Sequence, residues 1–545
     1  MSLLSSLSIA TSELNAIEYQ YSVTSQNVSN QSTAGYVSET ATVTSAVTSG
    51  TGNGVHIGAT QLNINQALQS ALYAQNAQVS SYTTMDNSLA AVSAVQGTTA
   101  ADSTDAVSGT TNTLTDQLGN VQSALTSLIS TPLQSISQTA VVTSAQSLTD
   151  TIHTLASTYT TQRQNAEDSI AATIPSINSD LTQIGALSQQ IIKLKALGSD
   201  TADLENQRLG VMSDLSSNLS VTFSETSNGD MVVRTADGTE LPTRPDQIGQ
   251  NDSTQKLPST TWPLSTGDVT ITPDMSYDPT SSTSPIPGIM LAGQDITTHL
   301  TGGTLGANIT LRDETYPKMQ AQLDSFSYTL INRFNSAGLS LFTNSASSTD
   351  PSSYLATAQS NLSNPANPPS TVPATPPGIV GLSSAVSVNT TYVSSPSLLS
   401  TSTASDGTTI GDTTVIQNVL SQTFGTSAQY VTGPTSSGGS DLEAPTDNLG
   451  STGNISIGYT GNQGLLQLAT ALTSDQGATI ATNSNSLAAS TSVQTVLQAK
   501  VADVSGVNVN DELAKVVALQ NAYTANAKIV STVQTMFTAL LNAIN

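Results

Sequence analysis

Side chains that carry enzyme chemistry are scarce in this sequence. Its three histidines, His56, His153 and His299, have no second histidine at the spacing of a helical metal site. Asp150, three residues before His153, reads as half of a surface pair. None of the 545 residues is cysteine, so thiolate nucleophiles, zinc-thiolate sites and disulfides are excluded together. No Gly-x-Ser-x-Gly elbow occurs. The stretch from Gly50 to Gly58 has the glycine content of a phosphate loop but not its offsets. Val55 stands where a GxGxxG begun at Gly50 needs glycine, and no Lys-Ser/Thr follows, so turn chemistry accounts for it. Asp441 and Glu443 are a carboxylate pair of the kind used in glycoside hydrolysis, but aromatic platforms for sugars are few, at 4% of the chain. The run from Asp441 to Asp447 also lacks the alternating acids of a calcium loop. No catalytic, cofactor or metal site is expected.

Charge narrows the partners. Thirty-eight acidic against 13 basic side chains give a net charge of -25 and a pI near 4.1, a field that repels phosphate backbones and anionic bilayers. The densest basic spot, Lys193 and Lys195, reads as one solvated helix face. No nucleic-acid partner is expected. Membrane insertion is not expected either, because no apolar run approaches the ~18 residues a spanning helix needs. No Lys or Arg precedes Arg163, so a cleavable secretory signal with its basic region is not expected. Only 9% of residues are charged while Ser and Thr make up about three in ten, so solubility rests on hydroxyls and amides. The length calls for several modules with thin aliphatic cores.

What remains is patterning. The first 34 residues contain neither Gly nor Pro, and Leu3, Leu7, Ala10, Leu14, Ile17, Tyr21, Thr24 and Val28 alternate steps of four and three. That is a heptad seam, which lets one helix pack along another. After Gly506, Leu513, Val516, Gln520, Tyr523, Ala527, Val530, Gln534, Phe537, Leu541 and Ile544 repeat it, with Asn508 as N-cap and Asp511 and Glu512 in the first turn. A second stripe, Leu519, Ala522, Ile529, Val533, Met536 and Leu540, gives this helix a broad apolar face. The two ends are expected to pair and then to pack against copies of themselves.

Between the ends, helical patterning runs over 62–130 with breaks near Gly97, Gly109 and Gly119, then over 140–197 with a one-residue slip and a kink at Pro175. A shorter helix follows from Leu204 to Leu219. The period changes to two after Ser220, with a hairpin signal at Ser227-Asn228-Gly229. Helical spacing returns from Met319 to Phe334 and again from Leu465 to about Leu497. Residues 343–462 include Asn364–Pro369 and Pro373–Gly378 and read as an inserted β-rich outer domain.

One further motif closes the N-terminal helix: Asn27-Val28-Ser29-Asn30-Gln31-Ser32-Thr33-Ala34-Gly35-Tyr36. Asn27 and Asn30 can end the helix by side-chain hydrogen bonds, and Gly35 permits a turn barred to other residues. The motif resembles the Asn-Ile/Val-Ser/Ala-Asn-x-x-Thr-x-Gly-Tyr signature of the bacterial flagellar axial proteins. Three more stretches are similar to the hook-associated junction branch of that family: Ser505–Glu512 with Tyr523–Ala527; Leu204, Gln207 and Arg208; and Gly303–Arg312, which matches a strand leading into a helix. The chain departs from that pattern at Asn206 and Leu209, where relatives often have Asp, and at Leu62–Asn65.

The resemblance implies a mainly α fold with inserted β domains: long terminal helices forming a coiled coil, a helical bundle body and an outer β-rich domain. The expected division is 1–60 with 505–545 for the terminal coiled coil, 61–220, 311–342 and 463–504 for the helical body, 221–310 for its β-rich part, and 343–462 for the insert. It also implies a structural, non-enzymatic subunit between hook and filament, cytoplasmic before type III export and extracellular afterwards. Implied partners are copies of itself in a ring or helical array, the hook protein, the second hook-associated junction protein, and an export chaperone on the C-terminal helix. The assembly interface would comprise Leu3, Leu7, Leu14, Ile17, Tyr21, Val28, Leu513, Val516, Tyr523, Ala527, Val530, Phe537, Leu541 and Ile544, with Asn27, Asn30, Gly35 and Tyr36. Competing readings are another axial subunit of hook or filament type, and a secreted Ser/Thr-rich adhesin or hydrolase.

Overall fold

The computed structural model describes residues 3–33, 35–48, 51–97, 113–250, 256–281, 283–344, 379–404, 407–425 and 442–544. Helix α1, Leu3–Ser29, is followed by the short strands β1 (Glu39–Thr40), β2 (Val43–Thr48), β3 (Thr51–Ile57) and β4 (Gln61–Leu62). β2 and β3 form a hairpin that lies against α1, and β1 pairs with β4. Then come α2 (Gln66–Gln96), α3 (Leu114–Ser130), α4 (Ser135–Ala196) and α5 (Ala202–Asn218). Gly97 ends α2 at φ +71°, whereas Gly119 sits inside α3. Gly109 lies outside the described residues.

Helix α4 is the spine. At ~1.5 Å per residue its 62 residues span roughly 93 Å. Buried Leu148, Ile152, Leu155, Tyr159, Arg163, Ala166 and Ile170 step by four, three, four, four, three and four. This is an 11-residue repeat, about 3.67 residues per turn, close enough to the natural helical period that the stripe stays on one face with only a slight right-handed supercoil. The slip seen in the spacing is part of that repeat. Pro175 does not break the helix, which continues to Ala196.

The spine passes through two apolar cores. Its C-terminal half, with Ile170, Ile177, Leu181 and Ile184, packs with α5 and with two small sheets. One sheet is β5 (Val221–Glu225), β6 (Met231–Thr235) and β7 (Glu240–Leu241), the expected hairpin with one added strand. The other has β8 (Leu264–Ser265), β9 (Met290–Leu291) and β10 (Gln294–Asp295) in the order β10-β9-β8. The stretch expected to be a strand before a helix is helical from its first glycine, as α6, Gly303–Thr310. A π-helical turn, Leu311–Thr315, joins it to α7, Tyr316–Ser336.

The N-terminal half of α4 packs with α3, α7, the distal half of α2 and the penultimate helix, Leu465–Ser505. The described part of 343–462 belongs to this core rather than to a separate outer β domain. Ile379, Leu382, Val386, Leu399, Ile416, Val419, Leu449 and Ile457 are buried in it. Its elements are mixed: helix Thr414–Thr423, two shorter helices, a hairpin Thr401–Ala404/Gly407–Ile410 and a two-residue strand, Ser387–Val388. Asn364–Pro369 and Pro373–Gly378 lie outside the described residues. Polar composition concealed the packing because the buried apolar residues are widely spaced along loops and carry no period.

The penultimate helix runs to Ser505, beyond the expected end near Leu497, and lies along α2. Side chains bridge the two helices: Gln75 Nε2 donates to Ser490 O at 2.9 Å, Asn483 Nδ2 to Tyr82 O at 3.1 Å and Gln96 Nε2 to Gln476 Oε1 at 2.6 Å. The C-terminal helix, Val509–Ile544, then packs along α1. Ser38 N donates to Ser505 O at 2.7 Å, so the end of α1 meets the start of the C-terminal helix and the pair is antiparallel.

Candidate assembly interface

The motif at the end of α1 builds a clasp. Asn27, 1% exposed, faces the backbone of Glu39. Its Nδ2 donates to Glu39 O at 2.8 Å, and its Oδ1 accepts from Glu39 N at 2.9 Å and from the Tyr36 hydroxyl at 3.1 Å. One amide side chain thus replaces a missing strand partner. Asn30 closes the helix end, donating to Gln26 O at 3.1 Å and accepting from Thr33 Oγ1 at 3.2 Å. Gly35 turns the chain at φ +77°, where a Cβ is disfavoured.

The clasp is tied to the body by residues with no local signal. Asn206 of α5 accepts from Val37 N at 2.9 Å and donates to Val37 O at 3.0 Å and Glu39 Oε1 at 2.8 Å. A carboxylate there cannot donate, so the amide of Asn206 is what completes this contact. Tyr19 and Thr60 donate to Asp200, and Gln26 donates to Asp203, both acids lying just before or within the first turn of α5. Only the acids could have been suspected from sequence, as helix-start residues.

The joint concentrates carboxylates. Burial pushes Glu39 up, against the pull of the Asn206 hydrogen bond. Burial and then neighbouring Asp200 push Asp203 up. Burial acts the same way on Asp200, but the Thr60 and Tyr19 hydroxyls and two backbone amides outweigh it and hold that group low. The Tyr36 phenol is raised by burial and by Glu39 and Asp203. Glu512, 4% exposed, bonds to Lys515 at 2.7 Å. Among the described residues, no three acids or histidines converge as a metal site.

Arg208, 2% exposed, is fully engaged. Nη2 meets Glu225 Oε2 at 3.0 Å, and Nη1 donates to Gly229 O at 2.8 Å, locking α5 to the β5–β6 turn. His153 is within 2.6 Å of Val386 O rather than paired on the surface with Asp150. His299 pairs with Asp237, whose carboxyl is held well below the usual range by the hydroxyl of Thr235 and then by His299. His56 is exposed on β3. Asp441 lies outside the described residues, and Glu443 is half-buried.

On α1, Ala10, Ala16, Ile17, Val23 and Thr24 are buried, Leu7, Leu14 and Val28 are half-buried, and Tyr21 is 42% exposed. On the C-terminal helix the covered seam runs through Glu512, Val516, Leu519, Asn526, Val530, Val533 and Phe537. It shares the row of Val516, Tyr523, Val530 and Phe537 with the spacing-based seam. Its other row is Glu512, Leu519, Asn526 and Val533, not Leu513, Gln520, Ala527 and Gln534. Leu519 and Val533 are more apolar than Gln520 and Gln534, so turning the helix by one position hides more oil. Leu513 and Leu541 consequently stay 51% and 62% exposed, Ala527 is half-buried, and Tyr523, although in the shared row, is 42% exposed. The side chains of Leu3 and Ile544 lie outside the described residues.

Residues 100–340 match the family model of the flagellar hook-associated protein FlgK helical domain, the segment built around α4. Over these residues the chain is similar to the flagellar hook-associated proteins. Residues 501–543 match the model of the flagellar basal body rod FlgEFG protein C-terminal segment. Flagellar hook-associated protein 1 of Escherichia coli (strain K12) is 24% identical over 239 residues, covering 43% of this chain and 42% of that protein. The chain thus matches less than half the length of this curated relative. The solved flagellar hook junction protein FlgK from Burkholderia pseudomallei aligns with a TM-score of 0.39 at 20% identity, over 51% of this chain and 47% of that one.

Proposed function

We propose that the chain is a structural, non-enzymatic subunit of the bacterial flagellum, joining hook to filament and assembling through its two terminal helices after type III export. The observation that carries this reading is the antiparallel terminal pair. It is clasped to the body by Asn27 and Asn206, yet it leaves leucines, an isoleucine and a methionine of the C-terminal helix half-exposed. Full burial is worth about 1.5–3 kcal/mol per side chain, so covering the exposed half gains roughly 1 kcal/mol each, which favours covering by neighbours. The family match over 100–340 supports the assignment to the junction rather than to hook or filament.

Partners under this reading are copies of the chain in a ring or helical array, the hook protein below and the second hook-associated junction protein above. A cytoplasmic export chaperone would shield the broad face of the C-terminal helix before secretion. The protein works outside the cell, at the hook-filament junction. Deleting its gene should leave hooks in place and release filament protein into the medium. Filaments still anchored to the hooks of the deletion strain refute the proposal.

A further inference from the structure

The penultimate helix changes character at Gly477. Before it, Leu465, Leu468, Ala469 and Leu472 are buried in the core shared with α3 and α7. Beyond it, as far as Ser505, no apolar side chain of this helix is buried. The spacing there is nevertheless a heptad seam. Gln476, Asn483 and Ser490 form a buried row in steps of seven, and Ile480, Leu487 and Gln494 form a half-buried row between them. Such a buried row ordinarily holds aliphatic residues, and one polar residue in it fixes the pairing at a cost in stability. Here three successive heptads carry one. This half of the helix is held to α2 by side-chain amides: Gln75 on Ser490 O, Asn483 on Tyr82 O, and Gln494 Nε2 donating to Asn76 Oδ1 at 2.9 Å.

Gly477 has no local reason to be glycine. Its φ is not left-handed, and a Cβ added to it would meet no atom within 4 Å. What glycine does in a helix interior is weaken the helix at that point. Thr479 Oγ1 donates back to Asp475 O at 3.0 Å across the same turn, a bond of the kind that bends helices. The helix beyond presents Thr482, Ser484, Thr491, Ser492, Thr495 and Val496 to solvent, all poor helix formers. By contrast α2 is backed by α4, α5 and α6 and stays with the body.

We propose that the penultimate helix is hinged at Gly477 and latched on α2 by Gln75, Asn483 and Gln494. When the latch opens, the arm 478–505 parts from α2 as one piece. The C-terminal helix begins at Val509, so the arm carries the terminal pair to a second angle against the body. The Asn206 clasp closes the far end of the same arm, so latch and clasp open together.

The absence of cysteine allows spin labels to be placed at will in the full chain. One pair is Gln207→Cys on α5 and Val496→Cys on the arm; the control pair is Ser123→Cys on α3 and Gln467→Cys in the anchored half, all four positions being exposed. Distances are read by pulsed electron resonance. The latch is opened by Gln75→Ala, Asn483→Ala and Gln494→Ala and the clasp by Asn206→Ala, all at helical positions, where alanine is the best helix former. The arm pair should gain a second, longer distance, its share against the short one rising about tenfold or more over the native chain, while the control pair keeps one distance. Adding Gly477→Ala to the opened chain should cut that ratio about fivefold, because alanine stiffens the helix interior. A single arm distance in the opened chain overturns the latch. A longer distance whose share ignores Gly477→Ala overturns the hinge. A control pair that spreads as much as the arm pair shows that the core has loosened and overturns the separate arm.

Discussion

Asn27→Ala tests how the terminal pair is held to the body. The substitution keeps the helix, since alanine is the best helix former, but removes both bonds to the Glu39 backbone and one to Tyr36. Glu39 is 4% exposed, so its N–H and C=O are left buried without partners, whereas half-buried Tyr36 can turn to water. Unpaired buried groups cost about 1–3 kcal/mol each, which puts the clasp penalty near 3 kcal/mol after partial relaxation. At 1.4 kcal/mol per tenfold, local opening becomes about a hundredfold more frequent. Hydrogen exchange by mass spectrometry on the full chain reads this directly. Amides of residues 37–40 should exchange about a hundredfold faster, while peptides from α4 and α7 keep their rates, because neither core includes the clasp. Unchanged exchange at 37–40 refutes the clasp. Acceleration spread equally through both cores refutes its independence from the body.

Two further outcomes follow from the cores. Burial pushes the Asp324 carboxyl up to about 6, although Ser383, Gly381 and Gln320 all donate to it. The folded chain therefore keeps a proton that the unfolded chain has lost, and this contribution is full below about pH 4 and disappears as pH rises through about 6. The urea midpoint of the native chain, measured against Asp324→Asn, should fall from about pH 4 to about pH 7; parallel midpoints in the two chains refute the assignment. Asp180, also pushed up to about 6 by burial and Asp214, titrates in both chains and cancels. Gly303 adopts φ +61°, and a Cβ there would lie 2.4 Å from the backbone of Asn218 and Leu219. Gly303→Ala should lower thermal stability by more than about 3 kcal/mol, and a circular-dichroism melt within a degree or two of the native one refutes the close approach.

The mainly helical class, the two terminal helices, the β5–β6 hairpin and the clasp motif were legible in the sequence because each is a local matter. Heptad spacing, an Asn-Gly turn and an Asn–Gly helix ending act between residues a few positions apart, and their periods survive without knowledge of the fold. The absence of cysteine and the scarcity of histidine likewise bounded the chemistry before any geometry was known. Tertiary structure alone decided the rest. Which of two adjacent rows of the C-terminal helix faces α1 depends on the partner surface, and spacing cannot separate positions one residue apart. Asn206 meets Val37 and Glu39 across more than 160 residues, and Arg208 finds Glu225 only after a turn, so neither pairing leaves a trace in local pattern. The described part of the polar stretch 343–462 joins the main core because a few scattered apolar side chains suffice to anchor it once α4 and α7 supply the surface, and burial of that kind is a property of the assembled shape.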